Sequence, residues 1–194
     1  MALNNVLYIH GFNSGKGKKV TTLQNEGYTV FCPQLKNNVK EDLLTLENLI
    51  KKKSIQSIIG TSLGGYYGLI LSQFFKQKDY YLINPSYKPY ITLKKHLGET
   101  LENFKTSEKF KVNKEFIEGL KEVQPEIKNV PLAVINFYIG TNDEVLDYKE
   151  FTNDLLSLQK PLNIFKEQQD HRFQDISLVV KHLKENTTTN NLNQ

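Results

Sequence analysis

Cysteine is almost absent from this sequence, which contains only Cys32 among 194 residues. A single cysteine excludes an intramolecular disulfide framework and any zinc site built from several cysteines. Because Cys32 ends an apolar run just before Pro33, its position favours a buried structural thiol over a reactive one.

Long hydrophobic runs are absent as well. The longest apolar runs, such as 132–139, have the length of a strand and are too short to cross a bilayer. The segment after Met1 lacks the basic stretch, apolar stretch and small-residue cleavage site that mark a signal peptide. We therefore predict a cytoplasmic protein that does not have a membrane as its partner.

Charge of one sign is not in strong excess, because 25 Lys and Arg face 21 Asp and Glu, which gives a net charge of +4. Lysines cluster within 16–19 and 51–53, but aromatic residues are not interleaved with them. This pattern favours a solvated surface over a nucleic-acid or phosphate site. With 39% hydrophobic and 24% charged residues, the chain has the composition of a soluble globular domain.

Short apolar runs alternate with segments of helical period along the chain. Strands covered on both faces are nearly continuous in apolar character, and six runs fit that description: 6–9, 28–32, 57–60, 80–83, 132–139 and 162–165. Between them, apolar residues recur at helical spacing within 43–50 and 176–183. The alternation predicts the α/β class, with a mostly parallel six-stranded sheet and helices on both faces.

One connection, about 85–131, is much longer than a crossover helix requires. It holds four prolines and two segments that we predict to be helical, around 97–104 and 114–123. We interpret it as a small cap over a pocket, with a purely decorative insertion as the alternative. The predicted organisation is a single domain over 1–186, followed by a disordered polar tail over 187–194.

The segment 60–64 matches the G-x-S-x-G pattern, with Ser62 at its centre. It follows a predicted strand and opens a helical stretch, which is the context of a nucleophile elbow. The turn is tight, so it needs small residues on either side of the serine, and Gly60, Gly64 and Gly65 supply them. The alternative is a glycine-rich turn that only packs a helix on a strand or cradles a phosphate.

A serine hydroxyl needs a base, and the sequence offers four histidines. His10 precedes the nucleophile, His96 lies in the insertion, and His182 is off the apolar stripe of the last helix, where we expect a surface position. His171 follows the last predicted strand. In an α/β-hydrolase the base comes last in chain order, so we predict His171 as the base.

The acid that orients the base should follow the strand before it. Asp143 stands in the turn just after the strand that ends near 139. Asp147 has a structural explanation, because Glu150 three residues later makes it resemble the N-cap of the next helix. We therefore predict Asp143 as the acid.

An oxyanion hole needs two backbone N–H donors. One is expected at Leu63, directly after the nucleophile, and the other at Phe12, in the loop after the first strand. Tyr66, Tyr67 and Tyr87 are candidates for lining a substrate pocket, although aromatic residues in such places are as often part of the core.

Together these segments resemble the YqiA-type bacterial esterases. Five blocks carry the resemblance, in chain order: 8–14 (YIHGFNS), 60–67 (GTSLGGYY), 83–85 (INP), 140–148 (GTNDEVLDY) and 170–173 (DHRF). The resemblance implies a compact α/β-hydrolase fold and esterase or thioesterase activity toward small acyl groups or acyl-CoA. It also implies that Ser62, Asp143 and His171 occupy the catalytic positions.

The sequence therefore predicts a serine esterase or thioesterase that acts on a small-molecule acyl ester or thioester and needs no metal or organic cofactor. For an acyl-CoA substrate, lysines near Lys16 would contact phosphates. Two alternatives stay open at this point, a binding protein that keeps the fold without turnover, and a peptidase or carbon–carbon bond hydrolase with the same triad.

Overall fold

Six parallel strands form the central sheet of this computed structural model, which describes residues 5–192. The strands are β1 (Asn5–Ile9), β2 (Thr29–Phe31), β3 (Ser57–Thr61), β4 (Asp79–Ile83), β7 (Ile135–Gly140) and β8 (Asn163–Glu167). Their order in the sheet is β2-β1-β3-β4-β7-β8, and every neighbouring pair is parallel. All six predicted strands are confirmed, except that Leu132–Val134 forms a 3-10 helix before β7 begins.

Helices cover both faces of the sheet, as the predicted class requires. They are α1 (Lys18–Asn25), α2 (Val39–Lys52), α3 (Leu63–Phe74), α6 (Lys149–Ser157) and α7 (Ser177–Leu192). Alternate residues of β1 point to opposite faces, so Leu7 packs with α2, α3 and α6, whereas Val6 packs with α1 and α7. Each face therefore has its own apolar core.

The long insertion between β4 and β7 is only partly helical. It contains α4 (Pro89–Thr92), a 3-10 helix (Lys94–His96), an antiparallel hairpin of β5 (Thr100–Glu102) and β6 (Lys109–Lys111), α5 (Lys114–Glu122), and a 3-10 helix (Ile127–Asn129). The predicted helix around 114–123 is confirmed as α5, which Asn113 caps by accepting a hydrogen bond from the Phe116 amide at 2.8 Å.

The prediction of a helix around 97–104 is wrong. Gly98 has φ of +91°, which interrupts a right-handed helix, and β5 begins two residues later. The hairpin turns at Asn103, whose side-chain oxygen accepts hydrogen bonds from the amides of Lys105 and Thr106.

The last helix is longer than predicted. Its apolar stripe, which includes Val179 and Leu183, is buried against the sheet, and the helix continues to Leu192. It thus includes most of the segment predicted to be a disordered tail, because adding turns to an anchored helix costs far less than starting one. Residues 193–194 lie outside the described residues. Among the helices of residues 5–192, none combines the length and apolar character needed to span a bilayer.

Candidate active site

Ser62 stands on the turn between β3 and α3, at the carboxyl end of the sheet. Its φ of +55° is rare for a residue other than glycine, and such strain persists only where the surroundings enforce it. The Ser62 amide donates to the carbonyl of Ile83 at 3.0 Å, and the Ser62 carbonyl accepts from the amides of Tyr66 and Ser86. Backbone hydrogen bonds on both sides therefore hold the strained turn.

Close backbone approach explains the glycines around Ser62. A Cβ on Gly64 would overlap the carbonyl oxygen of Ile9, and a Cβ on Gly60 would overlap the carbonyl of Gly64. A Cβ on Gly65 would lie 2.7 Å from the Cα of Pro85. The turn can therefore fit between β1 and the segment after β4 only because these side chains are missing.

The structure brings Ser62, His171 and Asp143 together although 109 residues separate the first two along the chain. The Ser62 hydroxyl donates to Nε2 of His171 at 3.2 Å, and the Nδ1–H of His171 donates to Oδ2 of Asp143 at 2.8 Å. The His171 side chain is 20% exposed and the Asp143 side chain only 1%. The imidazole can thus meet a ligand, while the carboxylate behind it is shielded from water.

The Asp143 carboxylate accepts four hydrogen bonds. Its Oδ1 accepts from the amides of Val145 at 2.8 Å and Leu146 at 2.9 Å, and its Oδ2 accepts from the Tyr148 hydroxyl at 3.0 Å as well as from His171. Burial opposes ionisation of Asp143, but these bonds, led by that from His171, outweigh it and lower its pKa. Asp143 is therefore an anion that can stabilise a positive imidazolium.

The loop after β1 lies directly beside Ser62. A Cβ on Gly11 would be 3.4 Å from the Ser62 Cβ. The backbone amides of Phe12 and Leu63, the two predicted oxyanion donors, make no hydrogen bond within residues 5–192. Both remain available to a ligand.

His10 holds this loop instead of acting as a base. Its Nδ1–H donates to the Gly11 carbonyl at 2.8 Å, and its Nε2 accepts from the Leu35 amide at 3.0 Å. Burial lowers the His10 pKa, so the neutral ring that this pattern requires is favoured. The Gly11 carbonyl belongs to the same peptide as the Phe12 amide, so His10 fixes the direction in which that amide points.

The remaining candidates for base and acid have other partners. His96 pairs with Glu99 at 2.7 Å, and His182, half-buried rather than on the surface as predicted, lies 2.8 Å from the Tyr138 hydroxyl. The Asp147 carboxylate accepts from the Lys149 amide at the first residue of α6. Asp147 thus contacts the start of that helix, but the N-cap is Tyr148, so the prediction of Asp147 as the N-cap is wrong by one residue.

The tyrosines predicted to line a pocket are placed differently. Tyr66 and Tyr67 are residues of α3, and both rings are fully buried in the core. The Tyr66 hydroxyl donates to the Leu120 carbonyl, so the prediction that Tyr66 and Tyr67 line a substrate pocket is wrong. Tyr87 is partly buried, and its hydroxyl donates to Asp154 on α6 at 2.7 Å, so its place in a substrate pocket stays a prediction.

A cavity of about 360 Å³ adjoins the loop after β1. The insertion supplies most of its lining, which consists of Phe12, Asn13, His96, Thr100, Leu101, Glu102 and Phe104. Phe12 connects the cavity to Ser62, because Phe12 is one of the lining residues and follows Gly11, the glycine that lies beside the serine. Sequence reasoning missed this lining, since it depends on how the hairpin folds over the sheet.

Two further contacts at the site were also missed. The Tyr148 hydroxyl supports Asp143, and the Glu144 carboxylate accepts from the His171 amide at 3.1 Å. Both residues lie in the 140–148 block, but no spacing in the sequence indicates what they touch.

Elsewhere, burial raises the pKa of the Cys32 thiol to about 11, as expected of an unreactive cysteine. Over residues 5–192, no three His, Cys, Asp or Glu side chains cluster as metal ligands.

Solved structures share this architecture along nearly the whole chain. Alpha/beta hydrolase domain-containing protein 10 from mouse has a TM-score of 0.70 at 15% identity, over 95% of this chain and 90% of that chain. Est1E from Butyrivibrio proteoclasticus with bound ferulic acid has a TM-score of 0.66 at 14% identity, over 95% and 88%. The esterase domain of a Rhodothermus marinus protein has a TM-score of 0.64 at 19% identity, over 93% and 85%. The predicted α/β-hydrolase fold is confirmed.

The family comparison extends over the same part of the chain. A family model, described as an uncharacterised protein family, matches residues 5–187. This range includes all five blocks that resemble the YqiA-type esterases. The chain therefore belongs to family UPF0227, the YqiA family.

Proposed function

We propose that this protein is a serine hydrolase of carboxylic esters or thioesters, with Ser62 as nucleophile, His171 as general base and Asp143 as the acid that orients it. One observation carries the proposal: an unbroken chain of hydrogen bonds runs from the Ser62 hydroxyl through the imidazole to a buried carboxylate. Ser62 also sits on a strained strand-to-helix turn, the usual position of a hydrolase nucleophile.

The chemistry follows from these contacts. His171 Nε2 takes the Ser62 proton as Oγ attacks the acyl carbon, and Asp143 stabilises the imidazolium that forms. The carbonyl oxygen gains the negative charge, which the amides of Phe12 and Leu63 stabilise. The intermediate then expels an alkoxide or thiolate, which takes the proton from His171. Water, activated by the neutral imidazole, hydrolyses the acyl-enzyme and regenerates the serine, without a metal or organic cofactor.

The cavity beside Phe12 is the candidate site for one part of the substrate, and its size supports a small acyl or alcohol group. Its volume of about 360 Å³ is at the lower end for small-molecule sites. Phe12, Leu101 and Phe104 give it an apolar surface. The bound ferulic acid in the Est1E structure shows that a protein of this fold can hold a small carboxylic acid.

Lysines near the loop after β1 support acyl-CoA as one candidate substrate. The insertion places the Nζ of Lys105 beside Gly17, which stands between Lys16 and Lys18 at the start of α1. Three cations in this area suit the phosphates of a CoA leaving group. A panel that compares acetyl-CoA with uncharged acetyl esters distinguishes thioester from ester hydrolysis.

Covalent labelling with a fluorophosphonate, measured by intact mass, tests the proposal. We expect the wild type to take one label per chain and Ser62→Ala to take none. His171→Ala should label at least about 10³-fold more slowly, because the serine loses its base. His182→Gln is the matched histidine control, since His182 lies on α7 and contacts Tyr138, which packs in the core between the sheet and α7.

The proposal fails if the folded wild type neither labels nor hydrolyses any member of the ester and thioester panel. It also fails if Ser62→Ala labels as well as the wild type. The first result would favour a binding protein that keeps the fold, and the second would place the reactive group elsewhere.

A further inference from the structure

Asn84 is a fully buried polar residue between the two loops that carry Asp143 and His171. It is the first residue after β4, which lies between β3 and β7 in the sheet. None of its surface is exposed. A buried amide must find hydrogen-bond partners, and the identity of those partners indicates what the side chain does.

The Asn84 side chain bridges the two loops. Its Oδ1 accepts from the Gly140 amide at 2.7 Å, at the last residue of β7 and three residues before Asp143. Its Nδ2 donates to the carbonyls of Asp170 at 3.1 Å and His171 at 3.2 Å. One amide group therefore ties the start of the acid loop to the backbone of the base itself.

Asparagine is the side chain that fits both requirements of this position. The site needs one acceptor for the Gly140 amide and two donors for two carbonyls, which a carboxamide provides in one rigid plane. The backbone has φ of +42°, a region that asparagine enters more readily than most other residues. Aspartate would keep the acceptor but present an oxygen to two carbonyl oxygens.

We propose that Asn84 is a positioning residue that sets the distance of the His171 imidazole from Asp143 and Ser62, an inference that rests on the proposed function. The carbonyl it binds belongs to His171, so a shift of this backbone moves the imidazole directly. The His171 backbone is also held by a second hydrogen bond, from its amide to the carboxylate of Glu144, which is an exposed residue. Loss of the Asn84 side chain should therefore displace the imidazole, while the hydrogen bond to Glu144 still holds the loop after β8.

Two variants separate the functions of the Asn84 side chain. Asn84→Asp keeps the acceptor for Gly140 and removes the donors to the base loop. Asn84→Gly removes both and accommodates the positive φ, so it remains informative if the aspartate variant folds poorly. Ser72→Ala is the control for loss of a buried hydrogen bond, because Ser72 is fully buried in α3 and its hydroxyl donates to the Leu69 carbonyl, outside the active site and the cavity lining.

The experiment measures kcat and KM for an ester that the wild type hydrolyses, the rate of fluorophosphonate labelling, and the melting temperature. It also follows hydrogen exchange of the Gly140 amide and the downfield proton resonance of the His171–Asp143 hydrogen bond. For both Asn84 variants we expect kcat and the labelling rate to fall about 10- to 100-fold, with KM little changed. The imidazole resonance should be lost or broadened, while Gly140 protection should persist in Asn84→Asp and disappear in Asn84→Gly.

Comparison with the control decides the outcome. If both Asn84 variants keep rates within about threefold of Ser72→Ala and retain the imidazole resonance, Asn84 is only structural and the proposal is overturned. If the wild type neither labels nor hydrolyses any member of the ester and thioester panel, the proposed function fails. The imidazole resonance and Gly140 exchange then still show whether Asn84 holds His171 against Asp143, so the two failures are distinguishable.

Discussion

Replacing Asp143 by asparagine tests the acid without changing the shape of the site. In the protein, Oδ1 of Asp143 accepts from the amides of Val145 and Leu146 at 2.8 and 2.9 Å. Backbone amides can only donate, so the asparagine must place its carbonyl oxygen there. Its NH₂ group is then forced into the position of Oδ2, facing His171.

That orientation reverses the hydrogen bond to the base. The NH₂ of the substituted side chain would donate to Nδ1 of His171, across the present 2.8 Å contact, and Nδ1 would have to accept. The imidazole proton then moves to Nε2, which faces the Ser62 hydroxyl at 3.2 Å and can no longer accept its proton. We expect kcat to fall about 10⁴-fold, which corresponds to about 5 kcal/mol of barrier.

Stability should change much less than activity. The Tyr148 hydroxyl, 3.0 Å from Oδ2, can rotate to accept from the new NH₂, so this contact survives. We expect Asp143→Asn to lower the free energy of unfolding by no more than about 2 kcal/mol, measured by urea denaturation. The tautomer argument thus predicts that Asp143→Asn loses most of its activity but still folds.

The assay is the release of a chromogenic leaving group, followed from the first turnover so that acylation and deacylation are separated. Asp147→Asn is the control, because Asp147 is the other acidic candidate in the same loop and its carboxylate accepts from the Lys149 amide at the start of α6. An Asp143→Asn enzyme with kcat within about tenfold of wild type would refute the tautomer argument. Loss of activity in Asp147→Asn instead would identify Asp147 as the acid.

In α3, Gly64→Ala places a methyl group on the Ile9 carbonyl and should lower the free energy of unfolding by about 3 kcal/mol. The methyl group of Gly68→Ala meets the movable end of the Leu82 side chain, so this variant should lower the free energy of unfolding by less than about 1.5 kcal/mol. Equal losses in urea denaturation would contradict the backbone clash. Burial raises the pKa of Asp42 to about 6, so the folded state holds its proton more tightly than the unfolded chain, and stability falls as pH rises from about 4 to 6. Asp42→Asn should flatten this slope and add up to about 3 kcal/mol near pH 8, and an unchanged slope would exclude Asp42 as its source.

The sequence predicted those parts of the molecule that local physics determines. Strands inside a parallel sheet are covered on both faces, so their apolar runs are continuous, and all six strands were found. The glycines around Ser62 were informative for a similar reason, since the tight turn excludes side chains at those positions in any sequence context. The place of His171 followed from chain order and from the small number of histidines.

The insertion was harder to predict because its local pattern points to the wrong structure. Leu97, Leu101 and Phe104 have the spacing of one helical face. In the structure Gly98 adopts a positive φ and Asn103 forms a turn, so the segment becomes part of a hairpin. Turn residues decided the outcome there, and the apolar spacing did not.

Contacts between distant parts of the chain could not be read from spacing at all. Tyr66 and Tyr67 come shortly after Ser62 and have the amphipathic character of pocket residues, but both rings lie in the core. Asn84 was visible only as part of the 83–85 block, because its partners lie 56 to 87 residues further along the chain. Which buried groups meet depends on the order of the strands.

Strand order also explains why one asparagine can serve both loops. β4 lies between β3, which precedes Ser62, and β7, which precedes Asp143, and parallel strands end at the same edge of the sheet. The residue after β4 is therefore beside the start of the acid loop, and the loop after β8 reaches back over it to bring His171 to Ser62. The insertion begins directly after this position and supplies most of the cavity lining. Under the two proposals, the insertion would set the substrate range and Asn84 the spacing of the reacting groups.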